Sequence, residues 1–364
     1  MTPRSPATLR QIAELTGLSR MAVSVALRGK PGVSESTRRK VELVAAELGF
    51  IPDPEVSKFL SRIRTKQSGD GPRACLALLT SGACLGAWRQ FATERRYVEG
   101  AEQRALAYGY RLEEFWMDDP AFSPSRFSSI LWNRGIEGVV VAPVQGRLSE
   151  KSRCLSGFDF ARFSCVEISE TVETPDLDRA IHDQFTSMRR CLLELEALGY
   201  QRVGLVLERA LDLRANGRWT AALLERRLRT SLPPPLILEE ANAVRFSRWF
   251  ERYQPDAIVS VDGFALRLMK DVGIRTPRDV AYASLDLDGE EGRGAFAGID
   301  QNSSLVGAAA IDVLVASVQR GSCGIPEKPI RMEIEGTWIG GPSAPNKKSG
   351  DLRKSKAALS PLAR

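Results

Sequence analysis

Arg20, Met21 and Ala22 follow Ser19 at the start of a short apolar-polar run, and Val25 lies one turn further on. A guanidinium offers a bidentate hydrogen bond to a guanine edge, and a small apolar side chain suits a thymine methyl. These residue types at the tip of a projecting helix could therefore read base edges. Thr8, Ser19, Ser24 and Ser34, with Arg28, Lys30 and Arg38, are hydroxyls and cations of the kind that hold phosphates. Bond-making chemistry has far less to work with. The chain has one histidine, His182, so a Ser-His-Asp or Cys-His nucleophile would have to recruit it, and a zinc site needing two imidazoles is excluded. No metal and no cofactor is expected. His182 itself precedes a predicted helix, which suggests a surface or capping residue.

Helices must present those side chains. Thr8-Leu9-Arg10-Gln11 is a capping-box pattern, and Leu9, Ile12, Ala13 and Leu15 then fall toward one side of a short helix. Gly17 suits a turn needing positive φ. Ser19 caps a second helix through Leu27, with Val23 and Leu27 facing inward. Ser34 caps a third, whose Val41, Val44 and Leu48 form an inner stripe. Two short helices around a Gly-containing turn, followed by a third, predict a helix-turn-helix unit. A three-helix bundle whose basic face binds protein is the alternative.

Charge agrees with a nucleic-acid partner. Residues 1–66 carry 12 Lys/Arg against 6 Asp/Glu, residues 67–343 carry 33 against 38, and residues 344–364 carry 6 against 1. A basic head precedes a slightly acidic middle, which favours an anionic polymer over a membrane. Residues 1–10 contain no apolar signal-peptide core, and no apolar run of spanning length is evident. The six cysteines form no C-x-x-C pair and read as buried thiols. A cytoplasmic, nucleoid-associated protein is expected.

The run from Thr8 to Pro54 resembles the N-terminal domain of the LacI/GalR family of bacterial transcription regulators. The resemblance rests on the T-L-x-x-I-A-x-x-x-G-L-S opening, the V-S-x-x-L second helix, the V-S-x-x-T-R-x-x-V third helix and the Gly49-Phe50-x-Pro52 exit. It departs where readout is set. The family's common base-reading arginine falls on Val25, so Arg20 would take over guanine recognition. The resemblance also implies a hinge in which an apolar side chain from each of two subunits wedges into the minor groove. Val56 and Phe59 occupy the corresponding positions, with Leu60 one residue late; an ordinary linker is the alternative.

From residue 73 the pattern changes to apolar runs alternating with helices. Strands are predicted at 74–79, 111–116, 138–142, 164–168, 203–207, 257–261 and 280–285. Helices are predicted at 97–108, 185–198, 219–229, 247–253 and 305–319. Such alternation predicts parallel sheets covered on both faces. The fold class expected is α/β: an N-terminal all-α helix-turn-helix domain (1–52), a hinge and linker (53–72), and a core (73–343). The resemblance implies that this core is periplasmic-binding-protein-like, with two Rossmann-like subdomains. The N-subdomain takes about 73–170 and 302–322, and the C-subdomain about 171–301 and 323–343. Residues 344–364 read as a basic disordered tail.

The same resemblance places a small-molecule effector between the subdomains, most often a sugar. Arg214 matches the family's arginine, with Arg218 as competitor and Trp219 near. Asp286 matches its acidic residue after strand 280–285. Asp262 matches the second half of its Asn-Asp pair, with Val261 replacing the amide. Trp88 and Phe91 could stack on a sugar face. A homodimeric repressor of a double-stranded DNA operator follows as the expectation. A sensor of a non-carbohydrate metabolite, a solute-binding protein and an enzyme are the alternatives. The core lacks G-x-G-x-x-G, P-loop and G-x-S-x-G motifs.

Overall fold

The computed structural model describes residues 9–27, 33–48, 74–144, 155–172, 174–288 and 294–348. The head consists of α1 (Leu9–Thr16), α2 (Arg20–Leu27) and α3 (Glu35–Glu47). Its core is Ile12, Ala13, Val23, Ala26, Val41 and Ala45, with Leu18, Leu27, Val33 and Val44 packed around them. Gly17 turns the chain at φ +73°. Lys40 Nζ donates to the Thr16 carbonyl at 3.0 Å, so α3 ties down the free end of α1. Two details differ from the sequence expectation, one being Leu48, expected on the inner stripe of α3 and 36% exposed. The other is Leu15, 62% exposed, because the inward position one turn after Ile12 falls on Thr16. That hydroxyl is buried and bonds back to the Ile12 carbonyl at 2.7 Å.

Beyond the head lie two six-stranded sheets. The first unit contains β1 (Ala74–Thr80), α4 (Ala92–Ala107), β2 (Tyr110–Trp116), α5 (Pro124–Asn133), β3 (Gly138–Val141), β4 (Ser164–Ile168) and β5 (Asp178–His182). The second contains α6 (Gln184–Ala197), β6 (Val203–Glu208), α7 (Arg209–Arg214), α8 (Arg218–Arg227), β7 (Leu236–Leu238), α9 (Ala243–Tyr253), β8 (Ala257–Ser260), α10 (Phe264–Asp271), β9 (Ala281–Ser284) and β10 (Ala297–Asp300). The chain then returns to the first unit through α11 (Ser303–Arg320) and β11 (Arg331–Ile334), and ends in the second with β12 (Thr337–Ile339). Strand orders are β11-β5-β4-β3-β1-β2 and β12-β10-β9-β8-β6-β7. All pairings are parallel except β10 with β12.

Both faces of each sheet are covered, which explains the continuous apolar strands. Leu76 and Leu78 of β1 point to a core containing α11, while Ala77 and Leu79 point to one containing Phe158 and Phe163. In β6, Leu205 and Leu207 face one side and Val206 the other. The 18-residue α11 is apolar and long enough to cross a membrane by composition, yet 67% of it is buried within the protein. It packs on α4 and on the strands of the first sheet. The two helices meet at glycines. A Cβ on Gly100 would lie 1.8 Å from the Ser304 carbonyl oxygen, and one on Gly307 would lie 1.8 Å from that of Tyr97.

Two of the three unit boundaries, the first and the last, lie later than the sequence suggested. β5 and β11 both belong to the first sheet, so the crossings between units fall after His182, after Asp300 and after Ile334. The signal was weak because β5 reads Asp-Arg-Ala-Ile-His and the edge strand β11 reads Arg-Met-Glu-Ile, neither of them an apolar run. His182 is accordingly not a surface or capping residue. It is 3% exposed at the end of β5, and Asp183 caps α6 instead. Nor do residues 344–348 begin a loose tail. Ala344 is buried, Tyr200 donates to the Pro345 carbonyl at 2.7 Å, and Lys347 pairs with Asp256 at 3.0 Å.

Candidate DNA-reading head and ligand cleft

In the head, α2 and α3 each begin at a capping serine. Ser19 Oγ accepts from the Ala22 amide at 3.1 Å and Ser34 Oγ accepts from the Thr37 amide at 3.2 Å. Both serines are exposed, and Ala22 is half-buried. Arg20, Met21, Ser24 and Val25 lie on α2, with Arg20 and Met21 in its first turn. Thr8, Arg28, Lys30, Val56 and Phe59 lie outside the described residues, as does the hinge they include.

Between the two units lies a cavity of about 660 Å³, within the size range of small-molecule sites. α4 of the first unit contributes Thr93, Glu94 and Tyr97; the second contributes Arg214, Trp219, Asp262, Asp286 and Asp288. Asp286 and Asp288 sit just past the carboxyl end of β9, where open parallel sheets bind ligands. Polar contacts cross the cavity. Thr93 Oγ1 donates to Asp286 Oδ2 at 2.7 Å, Arg96 pairs with Asp288 at 3.1 Å, and Arg214 stands 3.6 Å from Glu94. Beside it, Arg218 pairs with Glu170 at 3.1 Å. Arg214 thus lines the cavity, while its competitor Arg218 is committed to an ion pair.

Five of the six residues expected there line the cavity: Phe91, Arg214, Trp219, Asp262 and Asp286. Trp88 does not. It is 7% exposed in the core of the first sheet, and its indole N–H donates to Glu114 at 2.7 Å. A turn of helix over 87–90 swings its ring inward and leaves Phe91, 42% exposed, at the cleft. Reasoning from sequence missed Thr93, Glu94, Asp288 and Gln184. The first two escaped because the helix was expected to begin at residue 97, so its first turn went unread. Asp288 had a legible sign: it repeats the Asp286 carboxylate two residues on.

The electrostatics of the cleft are set by burial. Tyr97 is held neutral well above its usual range, first by burial and then by Asp286, with Glu94 and Asp288 adding to the effect and Arg214 opposing it. Asp288 is also raised, by burial first, with Arg96 opposing. At the crossings, His182 is lowered to about 4 by burial, against the pull of Asp183. Neither of its ring nitrogens has a hydrogen-bond partner of good geometry among the described residues. The three crossings are laced together: the Gly336 amide donates to Ser187 at 3.1 Å, and the Asn302 side chain donates to the Glu335 carbonyl at 2.8 Å. Among the described residues no group of His, Cys, Asp and Glu could hold a metal ion.

A helix-turn-helix head followed by two parallel-sheet units with a cavity between them is the build of a DNA-binding transcription regulator. Residues 8–53, the helix-turn-helix head, match the family described as bacterial regulatory proteins, lacI family. The chain is 24% identical over 297 residues to the HTH-type transcriptional regulator GntR of Escherichia coli (strain K12), covering 76% of this chain and 80% of that protein. Its fold is similar to that of the transcriptional regulator CelR in a cellobiose complex, with a TM-score of 0.55 at 18% identity, covering 93% and 99% of the two chains. It is also similar to that of the lac repressor dimer bound to operator and the anti-inducer ONPF. There the TM-score is 0.50 at 17% identity, with 94% and 100% covered.

Proposed function

We propose that this regulator is a homodimeric repressor whose affinity for a near-palindromic operator is set by a small polar molecule, a carbohydrate or close relative, held in the cleft between its two units. One observation carries the reading. The cavity is lined from both units, which the chain connects by three crossings after residues 182, 300 and 334. A ligand there touches both walls and so has different contacts in open and closed forms, the requirement for shifting a conformational equilibrium. Sugars are the commonest effectors of the family, which favours that class. Arg214, Trp219, Asp262 and Asp286 would hold the ligand, with Phe91 at the mouth.

At the head, Arg20 would read guanine, with Met21, Ala22 and Val25 beside it. Thr8, Ser19, Ser24, Arg28, Lys30 and Ser34 would hold phosphates, and Val56 or Phe59 would enter the minor groove. Paired heads set half-site spacing by the dimer's two-fold axis. Selection from random duplexes at physiological salt tests this reading: a two-fold symmetric consensus is expected, and recovery of no preferred sequence would overturn it.

A further inference from the structure

We propose that the second unit carries a further ligand site, separate from the cleft, which binds a small organic phosphate monoester through two arginines. The site is a surface pocket of about 300 Å³, at the lower end of the size range for small-molecule sites. Arg202 stands just before β6, and Pro233 and Pro234 stand shortly before β7. The pocket therefore lies at the amino ends of these parallel strands, on the opposite edge of the sheet from the cleft.

No Asp or Glu lines the pocket. Two guanidiniums do, each held by a different segment. Arg202 Nε donates to the carbonyl of Gln254, just past α9, at 2.7 Å. Arg227, the last residue of α8, donates through Nε to the Leu232 carbonyl at 3.0 Å. Each bond uses one of the five N–H donors of a guanidinium and leaves the four on Nη1 and Nη2. Neither side chain has an ion pair or a second hydrogen bond among the described residues. The carboxylate bonded to the Arg202 amide, that of Asp256, takes Lys347 as its cation at 3.0 Å. A third guanidinium, Arg252, lies 5.6 Å from the centre of the Tyr253 ring, which also lines the pocket.

This donor set fits a tetrahedral dianion. Paired Nη–H groups bond two oxygens of a phosphate at once, and such charge-assisted bonds are the strong ones. The Ser231 and Tyr253 hydroxyls line the same space and have no hydrogen-bond partner among the described residues, so they can donate to the remaining oxygens. Leu232, Pro233 and Pro234 form an apolar wall beside the cations. A bare ion has no use for that wall, whereas the carbon skeleton of an ester can bury surface against it.

The test uses the full-length protein, titrated calorimetrically with glucose 6-phosphate and with inorganic phosphate at about pH 7.5, where both are largely dianionic. Glucose 6-phosphate is expected to bind with a Kd below about 1 mM, more tightly than inorganic phosphate, and excess glucose should not displace it. Arg202→Gln and Arg227→Gln should each weaken it by at least about tenfold. Hydrogen exchange on the wild type gives a readout independent of any damage the substitutions do to the fold: glucose 6-phosphate should slow exchange over residues 227–234 and not over 286–288. No saturable binding of either phosphate up to about 10 mM, undiminished binding in both variants, displacement by glucose, or protection confined to 286–288 would overturn the proposal. Inorganic phosphate binding as tightly as the ester would overturn the assignment of an organic ligand.

Discussion

Thr93 on α4 and Asp286 after β9 meet across the two units, hydroxyl to carboxylate, at 2.7 Å. The bond lies on the wall of the cavity, so whatever enters must share Asp286 with Thr93 or displace it. Thr93→Val removes the donor and little volume. It should loosen the contact between the units and change effector affinity by about three- to tenfold, since a hydrogen bond to a charged group contributes about 1.5–3 kcal/mol, part of it recovered from water. Calorimetric titration of the variant checks this, with an unchanged Kd as the contrary result.

The lone histidine gives the protein a pH signature. His182 is lowered to about 4 by burial from an unperturbed value of 6.5. The unfolded chain therefore binds the extra proton first, so stability is full above pH 6.5 and falls as the solution is acidified toward pH 4. At about 1.4 kcal/mol per pH unit, the loss reaches about 3 kcal/mol. Urea unfolding at pH 7.5 and pH 5 should show this slope in the wild type, and His182→Gln should flatten it. Equal slopes in the two proteins would mean that carboxylates, not His182, set the dependence.

Gly307 gives a packing prediction. Its missing side chain lets α11 approach the Tyr97 carbonyl, where a Cβ would stand at 1.8 Å. Since the obstacle is backbone, Gly307→Ala must push the helices apart, at a cost of about 1–3 kcal/mol. A midpoint in urea within error of wild type would show that the helices separate without loss.

The head was read more easily than the core. Turn glycine, capping serines and the Ile12/Val23/Val41 stripe are local signals, and each element there is specified by its own residues. In the core, most of the seven strands were legible because parallel strands buried on both faces need largely apolar runs; β2, a half-buried edge strand carrying Glu113 and Glu114, is the exception. β5, β7, β10, β11 and β12 were not legible, being short, charged or at an edge. The cleft was legible at strand ends, as at Asp262 and Asp286, and at Phe91, Arg214 and Trp219, of which the last two came through the family resemblance. Thr93, Glu94 and Gln184 reach it from the first turns of α4 and α6, whose position depends on how sheets and helices pack. Trp88 shows the converse: an aromatic near a strand end whose direction is decided by a turn and by Glu114, neither visible in its own spacing.

Readout at the operator should separate by residue. Arg20→Ala should relax preference at one position of each half-site, costing about 1–3 kcal/mol against the preferred base, whereas Lys30→Ala should weaken all sequences alike and reduce the salt slope by about one. Competition binding with single-base operator variants distinguishes the two. Uniform loss from Arg20→Ala would move α2 out of its assigned role.

The coupling of cleft to head is tested most directly by operator Kd measured with and without a ligand that binds the core. At least about a tenfold change is expected in the wild type, corresponding to about 1.4 kcal/mol of coupling, and less than about a twofold change in Asp286→Ala at the same ligand concentration. A ligand that saturates the wild-type cleft and leaves operator Kd unchanged would contradict it.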